Sequence, residues 1–217
     1  MPNDRSVGTP WQFPLAGGLR KVPVQERSRA TVKAVLDAAA ELVEEVGFEA
    51  VIDSPTLILE HSGVSRGSFY SFFETPERVL DQLAYERILQ FVAGIEERFT
   101  SRDAADWRDV IDVLVNCYLE VYAQPLIHEL WIRQNITSRV RRLDDAAIED
   151  IAELLRLKLI ATSDGLQDVD HIQCVVAIQA LERLCQFAFV NDPHGDQEVI
   201  IEARALLATY FSRRLSA

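Results

Sequence analysis

Hydrophobic positions recur at intervals of three and four along most of this chain. Val32, Val35, Leu36, Ala39, Leu42, Val43 and Val46 form one such stripe, and Gly47 follows as a stop, so the spacing predicts a first helix over 28–46. Ser54 followed by Pro55 is a cap with proline at the first helical position, which predicts a short second helix through Leu57 and Ile58 ending near His61. Ser62, Gly63 and Val64 read as a tight turn, and Ser65 as the cap of a third short helix, Arg66–Phe73. Thr75 and Pro76 repeat the cap-proline signal and open a long helix with Leu80, Ala84, Ile88, Phe91, Ile95 and Phe99 on one side. Five more helices are expected over 107–123, 125–137, 145–162, 169–190 and 197–214, with Asp106, Asp144, Asp168 and Asp196 as caps. No segment alternates as a strand does. The pattern predicts an all-α fold of about nine helices.

The two ends of the chain depart from this rhythm. Residues 1–25 carry Pro2, Pro10, Pro14 and Pro23 with Gly8, Gly17 and Gly18 and show no helical period, so a flexible arm over 1–26 is expected. The last two helices are apolar on every side. Ile172, Val176, Leu181, Leu184, Phe187 and Val190 run round 169–190, and Val199, Ile201, Leu206, Tyr210 and Phe211 round 197–214. A helix apolar all round must be covered all round. A second copy of the chain is the expected cover, giving a homodimer through these two helices.

Composition narrows the class. With 48% hydrophobic and 26% charged side chains over 217 residues, the chain has the makeup of a folded domain. No apolar run approaches the ~20 residues that span a bilayer, and the first 18 residues hold no sustained apolar stretch of the kind an export signal needs. Cys117, Cys174 and Cys185 are too few and too scattered for a disulfide framework or a zinc site. His171 and Cys174 stand three apart, but two ligands make no metal centre. A cytoplasmic, reduced protein without metal or cofactor and without membrane attachment is expected.

A net charge of −12 argues at first against nucleic acid. Its distribution argues otherwise. Residues 1–35 set Arg5, Arg20, Lys21, Arg27, Arg29 and Lys33 against only Asp4 and Glu26, while the rest of the chain is acidic. Basic charge is concentrated at the front, beside the two short helices. Two short helices joined by a glycine turn and packed on a longer first helix form a helix-turn-helix.

The run Gly63-Val64-Ser65-Arg66-Gly67-Ser68-Phe69-Tyr70-Ser71-Phe72-Phe73, after an alanine-rich helix and before a long one, resembles the TetR family of one-component transcriptional regulators over roughly residues 27–85. The resemblance implies a DNA-binding domain over 27–74 and a ligand-binding and dimerisation domain over 75–217. Elementary chemistry fits that assignment. A recognition helix enters the major groove by its amino-terminal end, and Ser65 offers a phosphate a hydroxyl beside the helix N–H groups. Arg66 can bond both acceptors of a guanine, Gly67 permits close backbone approach, and Ser68 and Ser71 reach an edge or a phosphate from one side. Tyr70 matches the family tyrosine that contacts the phosphate backbone, and Thr56 another frequent phosphate contact. Phe69, Phe72 and Phe73 are expected to seat the helix. The family often carries a lysine at the start of the next helix, where this chain has Pro76 and Glu77, so Arg27, Arg29 and Lys33 are expected to supply more of the attraction to phosphate.

The resemblance further implies that the second half binds a small molecule and dimerises. Phe91, Trp107, Cys117, Tyr118, Tyr122, His128 and Trp131 are the candidate lining, because aromatic bodies with polar tips suit a largely apolar effector. Arg133, Arg139, Arg141 and Arg142 face either an acidic group of that ligand or solvent. Cys174 and Cys185, three helical turns apart, are expected in the dimer interface. No nucleophile elbow, phosphate loop, dinucleotide fingerprint or HExxH is present, so no enzyme is expected. The expected function is a ligand-responsive repressor on a near-palindromic double-stranded DNA operator. The competing reading is a TetR-like scaffold whose DNA binding has faded, acting as a small-molecule or protein-binding module. Nineteen arginines against three lysines point to a GC-rich bacterial genome.

Overall fold

A computed structural model of the chain describes residues 12–54, 56–101 and 104–215. Pro55, predicted to open the second helix, and Asp4 and Arg5 of the arm lie outside the described residues. Among the described residues ten α-helices follow one another: α1 Glu26–Val46, α2 Phe48–Asp53, α3 Leu57–Ser62, α4 Arg66–Phe72, α5 Pro76–Ser101, α6 Trp107–Tyr122, α7 Pro125–Ile127, α8 Ser138–Thr162, α9 His171–Phe189 and α10 Gln197–Leu215. No strand occurs among the described residues, as the pattern predicts. The chain divides into two units, one comprising residues 1–89 and 135–144, the other 90–134 and 145–217.

In the first unit α1 starts at Glu26, two residues ahead of the expected start at residue 28. The backbone N–H of Gln25 donates to Ser28 Oγ at 3.1 Å, and that hydroxyl returns a bond to the Gln25 carbonyl at 2.7 Å. This local pairing ends the free amide run of the helix start. Val32, Val35, Leu36, Ala39, Leu42 and Val43 are buried against α2, α3 and α4. The sequence pattern does not predict α2. Six residues with Val51 alone buried carry no period to read. Ser54 closes α2, its N–H donating to the Ala50 carbonyl at 3.2 Å, and Thr56 rather than Ser54 takes the cap position of α3.

Residues 13–20, within the expected arm, run along the first unit as a held strap. The Gly18 N–H donates to Gln82 Oε1 at 2.9 Å, the Tyr85 hydroxyl to the Phe13 carbonyl at 3.0 Å, and Leu19 pairs with Phe73 as an isolated antiparallel bridge. Burial, then the neighbouring Glu86, raises the Tyr85 pKa, which keeps that hydroxyl a donor.

In the second unit α6, α9 and α10 pack mutually. Asp106 caps α6 as predicted, accepting from the Arg108 N–H at 3.3 Å, while Asp109 accepts from the Asp106 N–H at 3.0 Å. Arg204 of α10 reaches across to α6, bonding Asp112 at 2.7 Å and Asn116 at 2.6 Å. The helix expected over 125–137 is shorter. After α7 it continues as a π-helical turn, His128–Ile132, and Gln134 then takes φ 61°. Thr137 caps α8, so Asp144 lies inside that helix instead of opening it: the Val140 N–H donates to Thr137 Oγ1 at 3.3 Å and the Arg141 N–H to the Thr137 carbonyl at 2.9 Å. Asp170 rather than Asp168 caps α9, accepting from the Gln173 N–H at 2.9 Å. Asp196 caps α10 as expected, accepting from the Glu198 N–H at 2.9 Å.

Cys174 and Cys185 sit inside this unit, within the single chain. They are therefore not in an interface between copies, because their face of α9 is the one that packs inward. Burial, then Glu182, pushes the Cys185 thiol up to about 12. The outward side of α9 carries Ile172, Val176 and Phe187, with Val190 just past its end, all exposed, and α10 exposes Ile201 and Leu206. By length and mean hydropathy α9 is able to cross a membrane, but a core side joined to an outward apolar stripe accounts for that character.

Candidate nucleic-acid interface

The helix-turn-helix is built from the turn outward. Gly63 ends α3 at φ 64°, ψ 9°, a left-handed conformation that an L side chain occupies at a cost of about 1–2 kcal/mol. The Ser62 hydroxyl donates to the Leu59 carbonyl at 3.2 Å and accepts from the Val64 N–H at 3.4 Å, so it satisfies the turn from within. Across from it His61 Nε2 meets Glu41 Oε2 at 2.9 Å and ties α3 to α1. Ser65 then caps α4, accepting from the Ser68 N–H at 3.3 Å and donating to Ser68 Oγ at 3.0 Å. Ser71 donates to the Ser68 carbonyl at 2.7 Å.

Two faces of α4 separate cleanly. Phe69, Phe72 and Phe73 are buried, with the rings of Phe69 and Phe73 5.7 Å apart, and each such burial contributes about 1.5–3 kcal/mol. They hold the helix on α1. Ser65, Arg66, Gly67, Ser68 and Tyr70 are exposed on the other side, Tyr70 at 47%. Among the described residues the Arg66 guanidinium makes no hydrogen bond or ion pair that would hold it on the protein, and a Cβ at Gly67 would meet nothing. Thr56 is exposed and its side chain caps nothing. Arg29 donates to the Val24 carbonyl at 3.1 Å and lies 3.6 Å from Glu26, and Lys33 pairs with Asp37 at 2.5 Å. These are exposed pairs, worth little. Arg20 and Lys21 stand beside the far end of α4, the first donating to the Tyr70 carbonyl at 3.2 Å, the second 4.8 Å above the Phe72 ring.

Only part of the expected effector lining comes together. Phe91 meets Tyr118 edge-on at 4.9 Å between ring centroids, Tyr118 stacks on Tyr122 at 6.4 Å, and Tyr122 meets Phe189 at 6.3 Å. The polar end of this chain of rings is the Tyr122 hydroxyl, 3.5 Å from Glu182 Oε1 and 3.4 Å from Gln186 Nε2. Phe189, Glu182 and Gln186 lie about 60 positions beyond Tyr122 in sequence, too far for local spacing to link them to it. Trp107 lies at the opposite end of α6 from Tyr122, buried under the Arg108 guanidinium. Cys117 takes a bond from Arg98 at 3.6 Å, and Arg98 also grips Glu120, whose hydrogen bond raises the arginine's pKa further. Trp131 is buried and His128 half-buried on the π-helical turn.

The four arginines do not converge. Arg133 pairs with Glu129 at 3.2 Å in the second unit. Arg141 is exposed. Arg139 donates to the Gly17 carbonyl at 2.6 Å and to that of Ala16 at 3.1 Å. With Arg78 and Arg142 it lines an open polar cavity of about 600 Å³ in the first unit, balanced there by Glu74, Glu77 and Asp81. Asp81, 2% exposed, accepts from Arg78 at 2.7 Å and from Thr137 Oγ1 at 2.6 Å. Its two charge-assisted bonds fix the start of α8 against α5.

Residues 105–215 match the family model described as "Tetracyclin repressor-like, C-terminal domain". The chain belongs to the TetR family. Among solved structures, a TetR-family transcriptional regulator from Streptomyces coelicolor is 28% identical with a TM-score of 0.65, over 84% of this chain and 98% of that one. The fatty acid degradation regulator FadR from Bacillus halodurans (21% identity, TM-score 0.57, 84% and 97% covered) and Salmonella enterica GusR (16%, 0.57, 88% and 100%) share the fold. No curated protein sequence matches this chain. As a TetR-family member the chain is a ligand-responsive, DNA-binding transcriptional regulator of the helix-turn-helix class.

Proposed function

We propose that this protein is a homodimeric repressor that leaves a near-palindromic operator when a small, largely apolar effector binds. One observation carries the reading: α4 is seated by three buried phenylalanines and turns Ser65, Arg66, Gly67, Ser68 and Tyr70 outward together. In this reading Arg66 reads a guanine, Gly67 lets the backbone approach, and Ser65, Ser68, Ser71, Tyr70 and Thr56 bond phosphates. Arg29 and Lys33 supply charge to the flank, with Arg27. Two copies, joined through the outward apolar sides of α9 and α10, set their α4 helices in major grooves one or more DNA turns apart. The ring series Phe91, Tyr118, Tyr122, with Glu182 and Gln186 at its polar end, supports an effector that is apolar along its length and polar at one tip. Cys117, His128 and Trp131 belong to the proposed lining, and Trp107, at the far end of α6, stays outside it. Its place of work is the cytoplasm, with the DNA.

Selection of bound fragments from a genomic duplex pool by the purified protein tests the proposal. Enrichment of a near-palindromic site is the expected result. No enrichment at low salt from a proven dimer, freed of any bound small molecule, overturns it in favour of a scaffold that has lost DNA binding.

A further inference from the structure

The carboxyl end of α4 is held by a segment far away in sequence. A helix of seven residues leaves most of its carbonyls without intrahelical partners. Here the Arg20 N–H donates to the Phe72 carbonyl at 2.8 Å, the Arg20 guanidinium to the Tyr70 carbonyl at 3.2 Å, and Leu19 bridges Phe73. The other end of the same strap is fixed by Gln82 on the Gly18 N–H and by Arg139 on the carbonyls of Ala16 and Gly17. Glycine is required at both central positions. A Cβ at Gly18 would stand 1.7 Å from the Arg78 carbonyl oxygen, and one at Gly17 2.4 Å from Gln82 Oε1 and 2.8 Å from the Tyr85 ring.

Arg139 lies in the first turn of α8. The part of α8 up to Asp144 belongs, with the strap and α4, to the first unit. We infer that residues 13–20 are a latch: α8 holds the strap through Arg139, the strap holds the recognition helix, and a displacement of α8 that pulls Arg139 from the two carbonyls loosens α4. Arg139 is then a positioning residue for DNA reading and touches no DNA itself. This deepens the regulator reading and rests on it for its consequence at the operator.

The test is hydrogen–deuterium exchange on the whole free protein, which needs no DNA, paired with operator affinity. Arg139→Met removes both hydrogen bonds that Nη1 donates, Arg139→Lys keeps a shorter cationic donor, Gly18→Ala displaces the strap sterically, and Arg141→Met removes an exposed charge from the same turn. Arg139→Met and Gly18→Ala should each speed exchange about tenfold both in 13–20 and in 66–73, with α6 and α9 unchanged. Arg139→Lys should fall between, and Arg141→Met should match the natural protein. Operator affinity should drop about tenfold for Arg139→Met with the melting temperature retained. Faster exchange in the strap alone, with 66–73 unmoved, overturns the latch, as does no change in either segment. If Arg139→Met does not fold, Arg139→Lys alone decides by the same two segments. Failure of the natural protein to bind any duplex would sink the regulator reading while the exchange result still decides the latch.

Discussion

Removing the Phe187 side chain probes the proposed dimer with a magnitude the structure supplies. Phe187 is 61% exposed on α9, while Phe189, two positions on, is 2% exposed and in the core. A phenylalanine presents roughly 200 Å², so about 120 Å² of Phe187 awaits cover, worth about 3 kcal/mol at about 25 cal/mol per Å². A twofold interface uses the residue twice, so Phe187→Ala weakens association by up to about 6 kcal/mol, an upper bound because imperfect cover in the dimer recovers less. The isolated fold should not suffer, since alanine favours the helix and no core contact is lost. Sedimentation across a concentration series should show the natural protein dimeric and Phe187→Ala dissociating at concentrations where the natural protein does not. Phe189→Ala is the opposite case, costing about 3–5 kcal/mol of unfolding stability through a cavity. An unchanged dimer dissociation constant for Phe187→Ala refutes the assignment of this stripe to the interface.

Three other outcomes follow from named residues. Gly63→Ala keeps open space around its Cβ but forces a left-handed alanine, so denaturant unfolding should show a loss of about 1–2 kcal/mol, and an unchanged midpoint would contradict the turn geometry. Arg66→Ala in a folded dimer should cost about 1–3 kcal/mol and relax discrimination at one base pair, measured by binding to single-base operator variants; a uniform loss over all sequences would make Arg66 a phosphate contact instead. The buried Cys185 thiol keeps its proton up to about 12 where the unfolded chain loses it near 9.0. Its contribution is therefore complete below that lower value and falls as pH rises, by about 1.4 kcal/mol at pH 10. Cys185→Ala should flatten that alkaline decline, and an equally steep decline in the variant rules the thiol out as its source.

Much of the helix-turn-helix was legible because its signals are local. The α1 stripe, the glycine turn, the Ser65 cap and the buried phenylalanines of α4 all lie within a few residues of what they explain. Elsewhere local signals misled. Thr137 opens α8 ahead of Asp144 because the cap is completed by Asp81, 56 positions away, and the charged run Ser138–Asp144 hides the two buried positions Val140 and Leu143. Asp168 and Asp170 offer the same cap chemistry, and only the reciprocal bond from Gln173 separates them. An all-apolar α9 does not declare which side packs inward, so Cys174 and Cys185 were expected on the wrong one. The strap has no period at all. Its order comes from Gln82, Tyr85 and Arg139, contacts that no window of sequence contains.

The central claim is that outward α4 residues read a specific duplex. It is tested most directly by titrating the purified dimer with the enriched duplex and with a scrambled duplex of equal length, across a series of salt concentrations. The account predicts a clear preference for the enriched site and a steep fall in affinity for both duplexes as salt rises, in proportion to the phosphates neutralised. Equal affinity for the two duplexes at every salt concentration would contradict it.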